Sequence, residues 1–164
     1  AAGILSWGQD LDHETSPFQV NLAYQVPRNK KSDYIGKAEL ERQRDVIDSG
    51  EAPFKMKMVG ITLGGKEITD YAPDVWLVAD TDGNDMGYVT SPWWSPELET
   101  NIALAWVPWS SSEVGTKLLV KLPDEYSVTP GEPVEGEVVD VPFRESVNPN
   151  KREVEAAKGK DFAE

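Results

Sequence analysis

The segment Met86–Pro108, MGYVTSPWWSPELETNIALAWVP, decides the fold of this chain. Two apolar runs flank a short stretch in which Trp93 and Trp94 stand between two Ser-Pro pairs. Short apolar runs bounded by turn residues predict β-strands. Because proline cannot donate to a strand ladder, the two Ser-Pro pairs predict a connection that interrupts the pairing. The indoles are then either a platform for a ligand or packing at the connection, and packing is the favoured interpretation.

Similar runs lie on both sides of this segment. They read KMVGITL, DVWLVAD, TKLLVKLP and EGEVVDVPF, and turn residues separate them, among them the hairpin signal Asp82-Gly83. Five or six short strands without an intervening helix predict a closed or sandwiched β module over residues 54–143. Trp76 and Trp106 lie inside these runs and are expected in its core. The glycines of LGGKEIT lack the spacing of a phosphate-binding loop and predict a hairpin turn.

Upstream of residue 54 the pattern changes. The stretch 36–49, GKAELERQRDVIDS, is rich in strong helix formers and is followed by Gly50, so it predicts one surface helix. Alternating apolar residues predict a strand within FQVNLAYQV, residues 18–26. The predicted fold class is therefore mainly β with one surface helix.

Composition excludes several classes of function. The chain of 164 residues carries a net charge of −13, which disfavours nucleic acid and anionic membranes as partners. It has no cysteine, so thiolate nucleophiles and thiolate metal sites are excluded, and a reducing, cytoplasmic compartment is expected. Its single histidine, His13, is expected to be solvated and cannot form a multi-histidine metal site. We expect no catalytic and no metal-binding residue in this chain.

Aromatic side chains remain as candidates for binding. Trp7 lies in the loop-like LSWGQD beside Gly8, and an exposed indole there could contact a flat ligand. The alternative is that Trp7 packs under its loop. On the residues alone, one function left open is a non-catalytic, acidic β-barrel module that presents tryptophans to a sugar or protein partner.

The order of the motifs is more informative than any one of them. AAGILSWGQDLD, a Ser-Pro pair, DYIGKAEL, MVGITL and the opening segment follow one another as in the C-terminal part of the glycine-cleavage T-protein family, which the chain resembles from residue 1 to about 144. That family comprises tetrahydrofolate-dependent aminomethyltransferases and demethylases. The resemblance implies a C-terminal β-barrel at 54–144, preceded at 1–53 by part of an α+β folate-binding region. A charged tail at 145–164 would follow.

The resemblance also implies which residues contact the cofactor. Trp7 stands where the family has a tyrosine close to the folate, Gly8 keeps a family glycine, and Arg144 is placed to meet the polyglutamate tail. Two departures are Ala1, where the family has glutamate, and Pro92, where it has glycine.

Other functional groups of the family fall outside this sequence. The folate-recognising arginine stands two residues before the position of Ala1, and the catalytic aspartate and pterin-binding glutamate lie further upstream. We therefore expect a C-terminal fragment that is inactive alone and whose partners are the N-terminal domains of the same enzyme and a small one-carbon donor. AGILSWGQDLD and WSPELETNIALAWV are nearer to the demethylase branch, typified by dimethylsulfoniopropionate demethylase, than to the glycine-cleavage enzymes.

Overall fold

A computed structural model of the chain describes residues 3–28, 30–72 and 74–143. The predicted helix and the strands predicted over residues 54–143 are confirmed. They are α1 (Lys37–Asp48), β1 (Met56–Leu63), β2 (Trp76–Ala79), β3 (Asp85–Ser95), β4 (Thr100–Pro108), β5 (Lys117–Val120) and β6 (Val134–Val139), with short 3-10 turns at Ala23–Gln25 and Trp109–Ser111. Within the described ranges, no helix is long and apolar enough to cross a membrane.

The six strands form a closed antiparallel barrel. Their order around the barrel is β1-β4-β3-β2-β5-β6, and pairing between β6 and β1 closes it. The β2–β3 hairpin is built as its Asp-Gly signal predicts. Gly83 has a φ of +89° and its amide donates to the carbonyl of Asp80 at 3.0 Å. The predicted β module is thus a barrel rather than a sandwich.

Strand β4 explains why its sequence reads as a continuous apolar run. Successive side chains of a strand point to opposite faces. Ala103 and Ala105 face the barrel interior, together with the buried Trp76, whereas Leu104 and Trp106 face outward. The outward face is covered by the N-terminal segment, so both faces of β4 are buried and both must be apolar. The predicted burial of Trp76 and Trp106 is confirmed.

The connection that follows β1 is not a hairpin, so that prediction for LGGKEIT was wrong. Both edges of β1 are occupied by β4 and β6, which leaves no edge for β2. Buried Asn101 fixes the connection instead. Its Oδ1 accepts from the Ile68 amide at 3.0 Å, and its Nδ2 donates to the carbonyls of Gly64 and Lys66 at 3.2 and 2.9 Å.

The tryptophan pair is not in a connection either. Trp93 and Trp94 belong to β3 and pair with Ile102 and Asn101 of β4, so the ladder continues past Pro92. It can do so because β2 ends its pairing opposite Val89 and leaves this part of β3 open on one side. The Trp94 amide points to that side, toward the Ile68 carbonyl at 2.8 Å. The nitrogen of Pro92, two residues earlier, points the same way, where the ladder needs no donor.

The strand predicted at 18–26 was also wrong. Asn21 has a φ of +60°, which breaks an extended conformation, and a 3-10 turn follows. The segment covers the first part of β1, which β6 leaves unpaired, with side-chain amides: Gln19 and Asn21 donate to the carbonyls of Met56 and Met58, each at 3.1 Å. Amide side chains thus replace most of the backbone ladder there.

Candidate functional site

A buried carboxylate joins the N-terminal loop to the barrel. Asp10 is only 2% exposed. Its Oδ2 accepts from the Ser6 amide at 2.8 Å, and its Oδ1 accepts from the hydroxyls of Thr90 at 2.5 Å and Ser91 at 2.7 Å. Among the described residues, no lysine or arginine pairs with this carboxylate. We call Asp10 and its three donors, Ser6, Thr90 and Ser91, the Asp10 clasp.

The clasp depends on an irregularity in β3. Adjacent residues of a regular strand point to opposite faces, so Thr90 and Ser91 should not reach one oxygen. The register between β3 and β4 shifts between Val89 and Ser91, which leaves Thr90 as an extra residue. Such a bulge redirects side chains. It brings both hydroxyls to the same carboxylate oxygen.

Further contacts hold the loop against the barrel. The Trp106 indole Nε1 donates to the Asp10 carbonyl at 2.9 Å, and Gln9 Nε2 donates to the Thr90 carbonyl at 2.6 Å. Leu5 and Leu11 pack against the outward apolar cluster of the barrel. The loop on both sides of Trp7 is therefore fixed by polar and apolar contacts together.

The tip of this loop presents Trp7 to solvent. A bridge joins Trp7 to Leu11, and the Gly8 amide donates to the Leu11 carbonyl at 2.8 Å. Gly8 has a φ of +84°, and apart from its two chain neighbours no residue has a heavy atom within 4 Å of the place where its Cβ would be. Trp7 is 69% exposed, so the alternative that it packs under its loop is wrong. An indole held by a fixed loop and free on its surface can stack on a flat ring.

A cavity of about 590 Å³ lies beside the loop, on the outer side of the barrel. Trp93 and Trp94 form part of its wall, Tyr71 and Phe143 add two more aromatic rings, and Ile4 lies at its N-terminal side. The tryptophan pair thus lines an open cavity rather than packing at a connection, which was the interpretation favoured from the sequence.

A second, more polar cavity of about 480 Å³ is lined by Gly8, Asp12, Glu14 and Tyr88. Burial, and then the charge of Asp12, raise the pKa of the Tyr88 hydroxyl. Hydrogen bonds from the Glu14 amide and the Thr15 hydroxyl lower the pKa of Asp12, which stays ionised as a loop-forming acceptor.

The sequence-predicted residues are not all brought together. Trp7 and Gly8 are adjacent on the loop tip, and Arg144 lies outside the described residues. His13 is exposed in a turn, as predicted. Sequence reasoning missed the burial of Asp10, for which the hydroxyl pair Thr90-Ser91 at a strand was the available signal. Over the described ranges, His, Asp and Glu form no group able to hold a metal ion.

The barrel of this chain matches a known protein family. Residues 57–144 match the family model described as the glycine cleavage T-protein C-terminal barrel domain. An aminomethyltransferase from Synechococcus sp. (strain WH7803) is 36% identical over 121 residues, which are 74% of this chain and 30% of that protein. One from Rubrobacter xylanophilus is 31% identical over 142 residues, 87% of this chain and 33% of that protein. The chain thus spans about a third of the length of these curated relatives.

A solved structure shows the same fold. The crystal structure of the glycine cleavage system aminomethyltransferase T from Bartonella henselae aligns with a TM-score of 0.65. The alignment covers 88% of this chain and 36% of that chain at 24% identity, a level that speaks for the fold alone.

Proposed function

The chain belongs to the glycine cleavage T-protein family, and we propose that it is the C-terminal part of an enzyme that transfers a one-carbon group from a small substrate to tetrahydrofolate. The observation that carries the proposal is the family barrel with the loop of Trp7 clasped to its outer face. The curated relatives named above are aminomethyltransferases, which supports the same reaction class.

We assign a separate role to each of three segments of the chain. Residues 54–144 are the barrel, residues 1–53 complete the folate-binding region, and residues 145–164 are a tail. The catalytic and folate-recognising groups implied by the family lie upstream in the full-length enzyme, and this part is inactive alone. The proposed compartment is the cytoplasm, and the proposed partners are the upstream domains and the one-carbon donor.

The exposed loop fits one side of a flat cofactor. Tetrahydrofolate, when bound, supplies the nitrogen that accepts the one-carbon unit. Trp7 would provide an aromatic wall for its rings, and the missing side chain of Gly8 leaves space next to that wall. Arg144 is proposed to meet the anionic polyglutamate tail, since a chain with a net charge of −13 repels it elsewhere. The Asp10 clasp holds the loop still, and fixed geometry lowers the entropic cost of reaction.

Within the family we propose the demethylase branch, with a donor of the kind used by dimethylsulfoniopropionate demethylase. The support is the amino-acid sequence of two segments, AGILSWGQDLD and WSPELETNIALAWV, which resemble the demethylase branch more than the glycine-cleavage enzymes. Comparing demethylation of methylated sulfur and nitrogen donors with aminomethyl transfer by the full-length enzyme tests this choice. Transfer from an aminomethyl donor only would reject the demethylase branch.

The test of the cofactor site compares two tryptophans. In the full-length enzyme, Trp7→Ala should weaken tetrahydrofolate binding about ten-fold, as expected for the loss of one stacking wall. Trp93→Ala is the matched control and should change the dissociation constant by less than a factor of two or so. A larger effect from Trp93→Ala would contradict the assignment.

One observation favours the alternative of a non-catalytic binding module. Trp93 is 45% exposed on the wall of an open cavity, as a tryptophan used for a sugar or protein partner would be. Oligosaccharides that quench tryptophan fluorescence while tetrahydrofolate has no effect would favour that module over the enzyme.

A further inference from the structure

The side chain of Val141 lies between the N-terminal segment and the barrel. Its two methyl groups face two glycines from distant parts of the chain. A Cβ on Gly3 would lie 2.6 Å from Cγ1 of Val141, and a Cβ on Gly60 would lie 2.6 Å from Cγ2. Because no side-chain carbon can approach that closely, Val141 fits between the two segments only where both neighbours lack a side chain.

The barrel surface under Val141 is fixed. Gly60 of β1 is paired with Leu104 of β4 on one side and with Val139 of β6 on the other, so it cannot move aside. The size of the Val141 side chain therefore sets the distance between the barrel and the segment that contains Gly3.

The two residues after Val141 continue over the same strand. A Cβ on Gly60 would also lie 2.9 Å from Cε1 of Phe143. Among the described residues, Val141 and Phe143 take part in no hydrogen bond or ion pair, so packing alone holds them in place. We call residues 141–143 the strap.

We propose that the strap positions the cofactor site and that Val141 is its positioning residue. This inference rests on the proposed function, in which Trp7 and Arg144 contact tetrahydrofolate. Arg144 directly follows Phe143 in the sequence, and the segment held at Gly3 leads to Trp7. Val141 thus joins the two parts of the chain to which the two contacts are assigned, the rings at one and the anionic tail at the other.

Fixed spacing matters because one ligand must meet both contacts at once. A displacement of about 1 Å at a binding or catalytic group is enough to lose much of its contribution. A strap that only stabilised the fold would affect all forms of the cofactor alike, whereas a strap that positions Arg144 affects the recognition of the tail.

Calorimetric titration of the full-length enzyme with tetrahydrofolate carrying one and five glutamates separates these two roles. The preference for the five-glutamate form, given by the ratio of the two dissociation constants, measures the contact with the tail. Arg144→Ala should reduce this preference about ten-fold, as expected for one lost contact between charged groups. Val141→Ala should reduce it about three-fold or more, although Arg144 is still present.

Two controls accompany these variants. Val138→Ala makes the same truncation at a valine that is 1% exposed and packs inside the barrel, so it should lower stability and leave the preference unchanged. Val141→Thr keeps both branches of the side chain and should retain the preference of the parent enzyme. Gly60→Ala, which would push the strap outward, should reduce the preference as Val141→Ala does.

The possible outcomes decide between the claims. A preference that Val141→Ala or Arg144→Ala leaves unchanged, or that Val138→Ala reduces as much as Val141→Ala does, would overturn this inference and leave the proposed function standing. A full-length enzyme that binds neither form of tetrahydrofolate would refute the proposed function, and this inference with it.

Discussion

Replacing Asp10 by alanine tests whether the clasp is what holds the N-terminal loop to the barrel. The side chain accepts three hydrogen bonds, from Ser6, Thr90 and Ser91. Hydrogen bonds to a charged group contribute about 1.5–3 kcal/mol each after desolvation, so three independent bonds would contribute about 4.5–9 kcal/mol. The three are not independent, because Thr90 and Ser91 share one carboxylate oxygen and the Thr90 hydroxyl keeps the Leu104 carbonyl as an acceptor. We therefore expect the free energy of unfolding to fall by about 3 kcal/mol.

Urea unfolding followed by circular dichroism measures this change. Asp10→Asn keeps one acceptor oxygen and should cost less, about 1–2 kcal/mol, because an amide can still bond the hydroxyls. A double-mutant cycle with Thr90→Val should give a coupling energy of about 1 kcal/mol or more, since the two side chains are in direct contact.

Glu14→Ala is the control for this experiment. It removes a carboxylate from the same loop at an exposed position and should leave stability unchanged. The reasoning is refuted if Asp10→Ala costs no more than Glu14→Ala, or if Asp10 and Thr90 show no coupling. Either result would mean that the apolar contacts alone hold the loop.

Three further predictions concern the barrel and the helix. Gly60→Ala would place a methyl group 2.6 Å from Cγ2 of Val141, so it should cost about 1–3 kcal/mol of unfolding free energy by overpacking. Asn101→Ala would remove three hydrogen bonds and leave buried backbone groups unpaired, so it should cost about 2–4 kcal/mol, measured in the same way. Hydrogen bonds, first from Arg42, lower the pKa of Glu39 to about 2, so its contribution to stability is complete above pH 4.5 and is lost as the pH falls toward 2; carbon-13 NMR titration measures it.

For each of these three predictions, one experimental result would contradict the reasoning. Gly64→Ala is the control for the glycine, because a Cβ there meets only ordinary contacts, the nearest at 3.7 Å, and equal costs at both positions would reject the overpacking argument. An Asn101→Ala protein as stable as the parent would mean that the connection is held by other groups. A Glu39 carboxyl that titrates near 4.5, its ordinary value, would show that the helical pairing is absent in solution.

The barrel was predictable because its strands are short apolar runs separated by turn residues. The run NIALAWV, for instance, predicted a strand from its own residues, without any knowledge of its partners. Which strands pair with one another was not predictable, because pairing depends on which strand edges are free in the folded barrel. Pro92 could stand in a ladder only because β2 stops opposite Val89, and no local pattern shows where a neighbouring strand stops.

The candidate site was predictable only in part. Trp7 and Gly8 could be named from their loop-like surroundings and the family resemblance, and the structure shows that the indole is exposed. The burial of Asp10 could not be read locally, because its donors Thr90 and Ser91 lie about eighty positions away and meet it only through a bulge. The helix could be predicted from the sequence because its signals, a run of strong helix formers followed by Gly50, are local.

Titration of tetrahydrofolate by isothermal calorimetry, into this chain and into the full-length enzyme, tests the central claim most directly. That claim is that this chain supplies one wall of a folate site whose main recognition groups lie upstream. The full-length enzyme should bind tetrahydrofolate, and this chain should bind it at least about a hundred-fold more weakly, a loss of about 2.7 kcal/mol. Equally tight binding by both proteins would contradict the claim.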